Sequence, residues 1–251
     1  ERLNREEIPF ESGRHGDKAM QGDFLVLSPG VPSHSEIAKS YSKQNKDIYS
    51  EIEVASWFNR SPMVAVTGTN GKTSVTSWLA HTWKTAGLDC ILAGNIGRAF
   101  SEEVDKTSPG KHALLEVSSF QLDHIDTFHP DVSMILNITP DHLDRYQNSF
   151  DLYAAAKFSI AKNQTGSDWF IYNHDDPVLR KFARTLSEQS EAPKMLGFSA
   201  ISELQAGAYV KDGNLILHLN NHTEYLMHIQ DLALPGKHNL YNSMATALAA
   251  R

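Results

Sequence analysis

The sequence predicts an α/β fold: a mostly parallel, doubly wound sheet with a small antiparallel patch appended near its C-terminal end. Three observations carry this. Short apolar runs alternate with helical stretches, the order expected of βαβ units. A glycine-rich turn at 68–71 joins one such run to an amphipathic helix. From Ala208 onward the punctuation changes to Lys-Asp-Gly-Asn and Asn-Asn-His-Thr, the turn chemistry of hairpins.

Taken in order, residues 1 to about 20 are polar and uninformative, and Asp23 to Leu27 reads as the first strand. Its loop, Ser28-Pro-Gly-Val-Pro, lies where open α/β sheets gather ligands, at a strand's carboxyl end. Ser28 is therefore a candidate binding residue, and equally a turn serine ahead of Pro29. A helix is expected over 33–45 and a short strand over 47–49, with 59–62 as a linker. Met63 to Val66 is a buried strand. The helix from about Lys72 carries its inward face at Val75, Trp78, Leu79, Thr82, Trp83 and Ala86. Further strands are expected over 90–93, 112–117, 131–137 and 168–172. Helices are expected over 150–161 and 175–187, and another follows Leu234-Pro-Gly-Lys-His-Asn239 and still runs at Arg251. A helix without a stop signal there suggests a longer parent protein.

Composition narrows the function. The 251 residues allow one or two domains, and a formal net charge of −7 excludes the basic footprint of a nucleic-acid binder. No apolar run approaches the ~18 residues that span a bilayer, and Glu1 to Ser12 lacks the pattern of a signal peptide. The chain begins without Met, so a start upstream is expected. The single cysteine, Cys90, excludes an internal disulfide and reads as a buried, inert thiol. Twelve histidines show no zinc-type pairing, and His218 and His222 are expected on one face of a single strand.

The chemistry concentrates at the turn Gly68-Thr69-Asn70-Gly71-Lys72-Thr73-Ser74. Glycines let backbone amides close on a polyphosphate, and the following helix N-terminus adds partial positive charge. Lys72 would reach the terminal phosphates, and the Thr73 hydroxyl would hold Mg²⁺. The longer pattern G-x-x-x-x-G-K-[ST] is not met, because position 66 is Val, yet the strand before and the helix after supply the required context. Glu116, at a strand end beside Ser118 and Ser119, is placed to coordinate a nucleotide's Mg²⁺, or else to bond a neighbouring loop. Alone, His142 in Pro-Asp-His-Leu-Asp-Arg reads as a surface histidine, and Lys157 as a surface lysine with its stem along the protein.

Together, Gly68–Thr73, Gly94-Asn95-Ile-Gly97, Glu116–Leu122, Asn137–Arg145 and Pro235–Asn242 resemble the Mur ligase family, whose members join amino acids to peptidoglycan precursors using ATP. The resemblance runs from about Phe24 to Arg251. It implies a P-loop-type central domain over 61–251, preceded over 1–60 by part of a Rossmann-like UDP-sugar-binding domain, with an amino-acid-binding domain beyond. Such a fragment is expected to be inactive alone. The resemblance further implies that Gly68 to Ser74, Asn239 and Asn242 bind ATP, and that Ser28, Asn95, Ser118 and Gln121 contact the UDP-sugar. Thr73 and Glu116 would hold one Mg²⁺. His142 and a carbamylated Lys157 would support a second, with Lys72, His142 and Lys157 as the catalytic set. The Ser-Ser-Phe-Gln-Leu form resembles the D-glutamate-adding branch, which implies UDP-N-acetylmuramoyl-L-alanine and D-glutamate as substrates. A cytoplasmic monomer with no nucleic-acid or membrane partner would then serve cell-wall synthesis. Other amino-acid ligases of the same type, or a nucleotide-binding module without ligase activity, are the competing readings.

Overall fold

The computed structural model describes residues 2–13 and 15–251. Two short helices, α1 (Arg2–Arg5) and α2 (Asp17–Met20), precede a two-stranded parallel sheet of β1 (Leu25–Leu27) and β2 (Ile48–Ser50). Helix α3 (Glu36–Lys43) connects them. It starts three residues later than expected because Ser35 is its N-cap, accepting from the Ala38 amide.

The main sheet has nine strands: β3 (Met63–Thr67), β4 (Cys90–Gly94), β5 (His112–Glu116), β6 (Val132–Ile135), β7 (Trp169–Asn173), β8 (Lys194–Ser199), β9 (Gly207–Lys211), β10 (Asn214–Leu219) and β11 (His222–His228). Their spatial order is β11-β10-β9-β8-β7-β6-β3-β5-β4. Neighbours from β4 across to β9 run parallel, and only the β9–β10 and β10–β11 pairings are antiparallel. The fold class expected from the sequence is the one observed. Strand β3 is buried along its whole length, which explains its uninterrupted apolar run.

Helices cover both faces: α4 (Glu51–Ser56), α5 (Lys72–Thr85), α6 (Phe100–Glu103), α7 (Ser119–Leu122), α8 (Phe150–Phe158), α9 (Pro177–Ser187) and α10 (Lys237–Ala249). One core packs α4, α7, α8 and α9 on the sheet through Ile52, Leu122, Tyr153 and Leu179. The other packs α5 and α10 through Val75, Leu79, Trp83, Met244 and Leu248. Neighbouring β3 and β5 thus send their helices to opposite faces, which makes their carboxyl ends the switch point at which open α/β sheets hold ligands in a crevice.

Several expectations are corrected. Helix α4 and strand β8 were not foreseen. In β8, Lys-Met-Leu-Gly-Phe-Ser carries no β-branched residue, and pairing with β7 and β9 supplies the strand. The expected linker at 59–62 is knitted into the body: Arg60 N donates to Thr107 Oγ1 (3.1 Å) and Ser61 Oγ to Ser108 O (2.9 Å). On α5, Thr82 and Ala86 are exposed and Trp78 half-buried, because α10 covers only part of that face. Trp78 and Thr82 instead line an open apolar pocket of about 290 Å³ with Leu215 and Leu226. His218 and His222 lie on separate strands, divided by the left-handed pair Asn220 and Asn221. Cys90 is half-buried, and burial pushes its thiol pKa up. No helix among the described residues is long and apolar enough to cross a membrane.

Candidate active site

The carboxyl end of β3 delivers the glycine-rich turn into the crevice. Gly71 caps α5 with a left-handed φ of 88°, and a Cβ there would lie 2.5 Å from Asn242 Oδ1. Only glycine fits both the backbone and the approach of α10. No side chain caps α5, so its first-turn amides face the crevice unpaired by a cap. The rest of the turn is braced. Thr69 N donates to Asn137 O (2.9 Å) and Asn70 N to Asn137 Oδ1 (2.9 Å), while Asn137 Nδ2 returns a bond to Asn70 O (3.0 Å). Lys72 Nζ folds over the turn, donating to Gly68 O and Thr69 O, each at 3.0 Å. Burial lowers its pKa, and Glu116 and Asp141 partly oppose that.

Beside the turn, Thr73 Oγ1 donates to Glu116 Oε2 at 2.8 Å, and Asn95 Nδ2 to Glu116 Oε1 at 3.2 Å. Glu116 is 3% exposed. The β4 loop is drawn in by Asn95 N donating to Glu116 O (2.8 Å), which brings Gly94 so close that a Cβ would lie 2.3 Å from that oxygen.

Helix α8 approaches from the other side. Lys157 is 2% exposed, and its Nζ donates to Gly68 O at 2.9 Å, 4.8 Å above the Tyr153 ring. Burial first, then the positive charge of Lys72, brings its pKa down to about 7; Asp141 and Asp123 pull the other way. The surface lysine that its local sequence suggests is thereby corrected: the ammonium is held inside, against the Gly68 carbonyl and the Tyr153 ring. Tyr153, one helical turn earlier, places its hydroxyl 3.0 Å from Thr69 Oγ1.

A family model described as "Mur ligase middle domain" matches residues 66–250. The chain belongs to the Mur ligase family. It is 46% identical over 99% of its length to the UDP-N-acetylmuramoylalanine–D-glutamate ligase of Salinibacter ruber, covering 55% of that protein. It is 40% identical, over its full length and 55% of the relative, to the enzyme of that name from Porphyromonas gingivalis. It thus spans about half the length of the curated relatives it matches. Among solved structures, a UDP-N-acetylmuramoyl-L-alanyl-D-glutamate–2,6-diaminopimelate ligase superposes with a TM-score of 0.63 over 98% of this chain and 62% of its own. The identity is 18%, which speaks to the fold alone.

Within this Mur ligase domain the predicted residues fall into three groups. Gly68 to Thr73, Asn95, Glu116, Lys157 and Asn242 converge around the crevice, with Ser74 in the first turn of α5. Ser118 and Gln121 are buried and turned toward each other. Gln121 Oε1 accepts from Ser118 N (3.0 Å) and Oγ (2.9 Å), and Gln121 Nε2 has no partner. Ser28, His142 and Asn239 are more peripheral. Ser28 is exposed, and its loop is tied in where Arg145 Nη1 donates to Pro29 O at 3.4 Å. His142, at a left-handed φ of 48°, has its ring 3.7 Å from Asp141 and makes no bond to Lys157 or Glu116 among the described residues. Asn239 Nδ2 donates to Pro235 O at 3.1 Å.

Tyr153 and Asn137 were missed as site residues. The signal available was the i,i+4 spacing of Tyr153 to Lys157 on one helix face, and Asn137 at the end of its apolar run. The donor set fits a nucleotide with its cation: uncapped amides and a lysine for phosphate, a hydroxyl and a carboxylate as hard oxygen ligands. Among the described residues no three His, Cys, Asp or Glu side chains cluster as a self-sufficient metal site.

Proposed function

We propose that the full-length protein is an ATP-dependent ligase joining D-glutamate to UDP-N-acetylmuramoyl-L-alanine. The observation that carries this reading is the convergence, at the end of β3, of Lys72, the Thr73–Glu116 pair and the buried Lys157. The relatives' names and the Ser-Ser-Phe-Gln-Leu segment support the choice of substrates. The 1–60 segment would belong to the UDP-sugar-binding unit, 61–251 to the ATP-binding unit, and the whole would act as a cytoplasmic monomer.

A carboxylate is a poor electrophile, so transfer of the γ-phosphoryl group from ATP to the L-alanine carboxylate first makes an acyl phosphate. The amine of D-glutamate then attacks, and a tetrahedral intermediate expels phosphate. Lys72 and the α5 amides hold the phosphates and spread the developing charge. Ser28, Asn95, Ser118 and Gln121 orient the UDP-sugar, and Asn239 and Asn242 line the nucleotide side. Bound Mg²⁺ would supply charge neutralisation: Thr73 and Glu116 would hold one ion, and His142 and a carbamylated Lys157 would hold a second. Lys157 suits that modification because only the neutral amine captures CO₂, and its surroundings disfavour the ammonium. Release of ADP by the full-length protein with UDP-N-acetylmuramoyl-L-alanine and a panel of amino acids is the test. Dependence on D-glutamate is expected. Dependence on another amino acid, or release with no acceptor, overturns the reading.

A further inference from the structure

Glu53, in α4, is a carboxylate with 0% exposure and no ion-pair partner among the described residues. It is nonetheless fully satisfied. Three successive backbone amides converge on it: Asp126 N (2.9 Å) and Phe128 N (2.8 Å) on Oε2, and Thr127 N (2.9 Å) on Oε1. Thr127 Oγ1 (2.6 Å) and Trp57 Nε1 (2.7 Å) complete Oε1. Consecutive amides in this arrangement form an anion nest, and the chain supplies its own anion.

The nest sits where three pieces of the active site meet. Immediately before α4, Ser50 N donates to His124 O (2.9 Å), and the His124 ring bonds Ser33 Oγ (3.0 Å), so the β1–β2 unit and its Ser28 loop rest on this segment. Helix α7, capped by Ser118 and carrying Gln121, ends at Leu122 a few residues before it. Past the end of α8, which carries Lys157, Asn163 Nδ2 donates to Asp126 O (2.7 Å) and Phe128 O (3.0 Å).

We infer that Glu53 is a positioning residue: by filling the nest at 126–128 it fixes the β1–β2 unit, with its Ser28 loop, against the α7 and α8 residues of the site. This rests on the function proposed above for its catalytic consequence, though not for its structural one. The phosphate turn is braced separately by Asn137 and Tyr153, so nucleotide binding is independent of Glu53.

The test is Glu53→Gln in the full-length protein, which keeps shape but turns an amide N–H toward the nest. The KM for the UDP-sugar should rise about tenfold or more, while affinity for a nonhydrolysable ATP analogue stays within about twofold. Hydrogen exchange should quicken at 126–128 and across 25–50, with β3 and β5 unchanged. An unchanged UDP-sugar KM with unchanged exchange overturns the inference, as does an equal loss of nucleotide affinity. If Glu53→Gln does not fold, Thr127→Val should show the same pattern more weakly and Thr127→Ser should restore it; identical behaviour of the two overturns it. Wild-type protein that makes no amide would sink the proposed function, and the exchange data would still judge the nest.

Discussion

Two buried charges in this molecule are treated in opposite ways. Glu53 lies in a junction that gives its two oxygens five donors, and Lys157 lies in a pocket that gives its ammonium one acceptor and a second lysine nearby. Burial pushes the Glu53 carboxyl up, but the hydrogen bonds more than offset it, so the pKa falls and the charge is kept. For Lys157 the pull of Asp141 and Asp123 does not offset burial and Lys72, and it is driven toward its neutral form. A buried charge that is fully bonded holds structure together; one left short of partners is available for chemistry.

The sharpest contrast is expected from truncation. Lys157→Ala in the full-length enzyme should lower turnover by about 10³-fold without unfolding it, and acetate should restore part of the rate by standing in for a carbamate. Full activity without additive would remove Lys157 from the chemistry. Lys72→Ala should abolish ATP turnover by a comparable factor, measured as ADP release. Glu53→Ala should behave in the reverse sense, costing about 3 kcal/mol or more in urea unfolding because five donors, the buried Phe128 amide among them, lose their acceptor. A small change there would mean the nest rehydrates, and the comparison would fail.

Subtler effects sharpen it. Glu116→Ala should raise the Mg²⁺ needed for half-maximal rate by about tenfold, since Thr73 would lose the carboxylate beside it. A magnesium titration matching wild type would separate Glu116 from the cation. The pH dependence of stability should also split. Glu53 has a lowered pKa, so its contribution is present above the ordinary carboxylate pKa and is lost as pH falls through the depressed value. Lys157 has a depressed pKa as a base, so the unfolded chain binds more protons between about 7 and 10.5 and stability should rise with pH across that window. Lys157→Met should flatten that slope and leave the acid limb unchanged.

How much of this was legible beforehand follows from how local each signal is. The buried β3 run, the glycine turn and the start of α5 are encoded within about a dozen consecutive residues, and they were readable. So was the hairpin end, where Lys211-Asp-Gly-Asn214 and Asn220-Asn-His-Thr223 impose their own backbone. Strand β8 was not, because its residues take strand geometry from their neighbours rather than from their own propensity.

The sequence by itself therefore determined the fold class and the phosphate turn. Periodicity, glycine conformation and helix starts act over a few residues. Only the tertiary structure decided the electrostatic state of the charges. Nothing in Tyr-Ala-Ala-Ala-Lys distinguishes a solvated lysine from one pressed against Gly68, and nothing in Ser-Glu-Ile-Glu-Val announces an anion for a loop some 73 residues away. Burial and hydrogen-bond partners come from segments distant in the chain, and a charge responds to those surroundings rather than to its sequence neighbours.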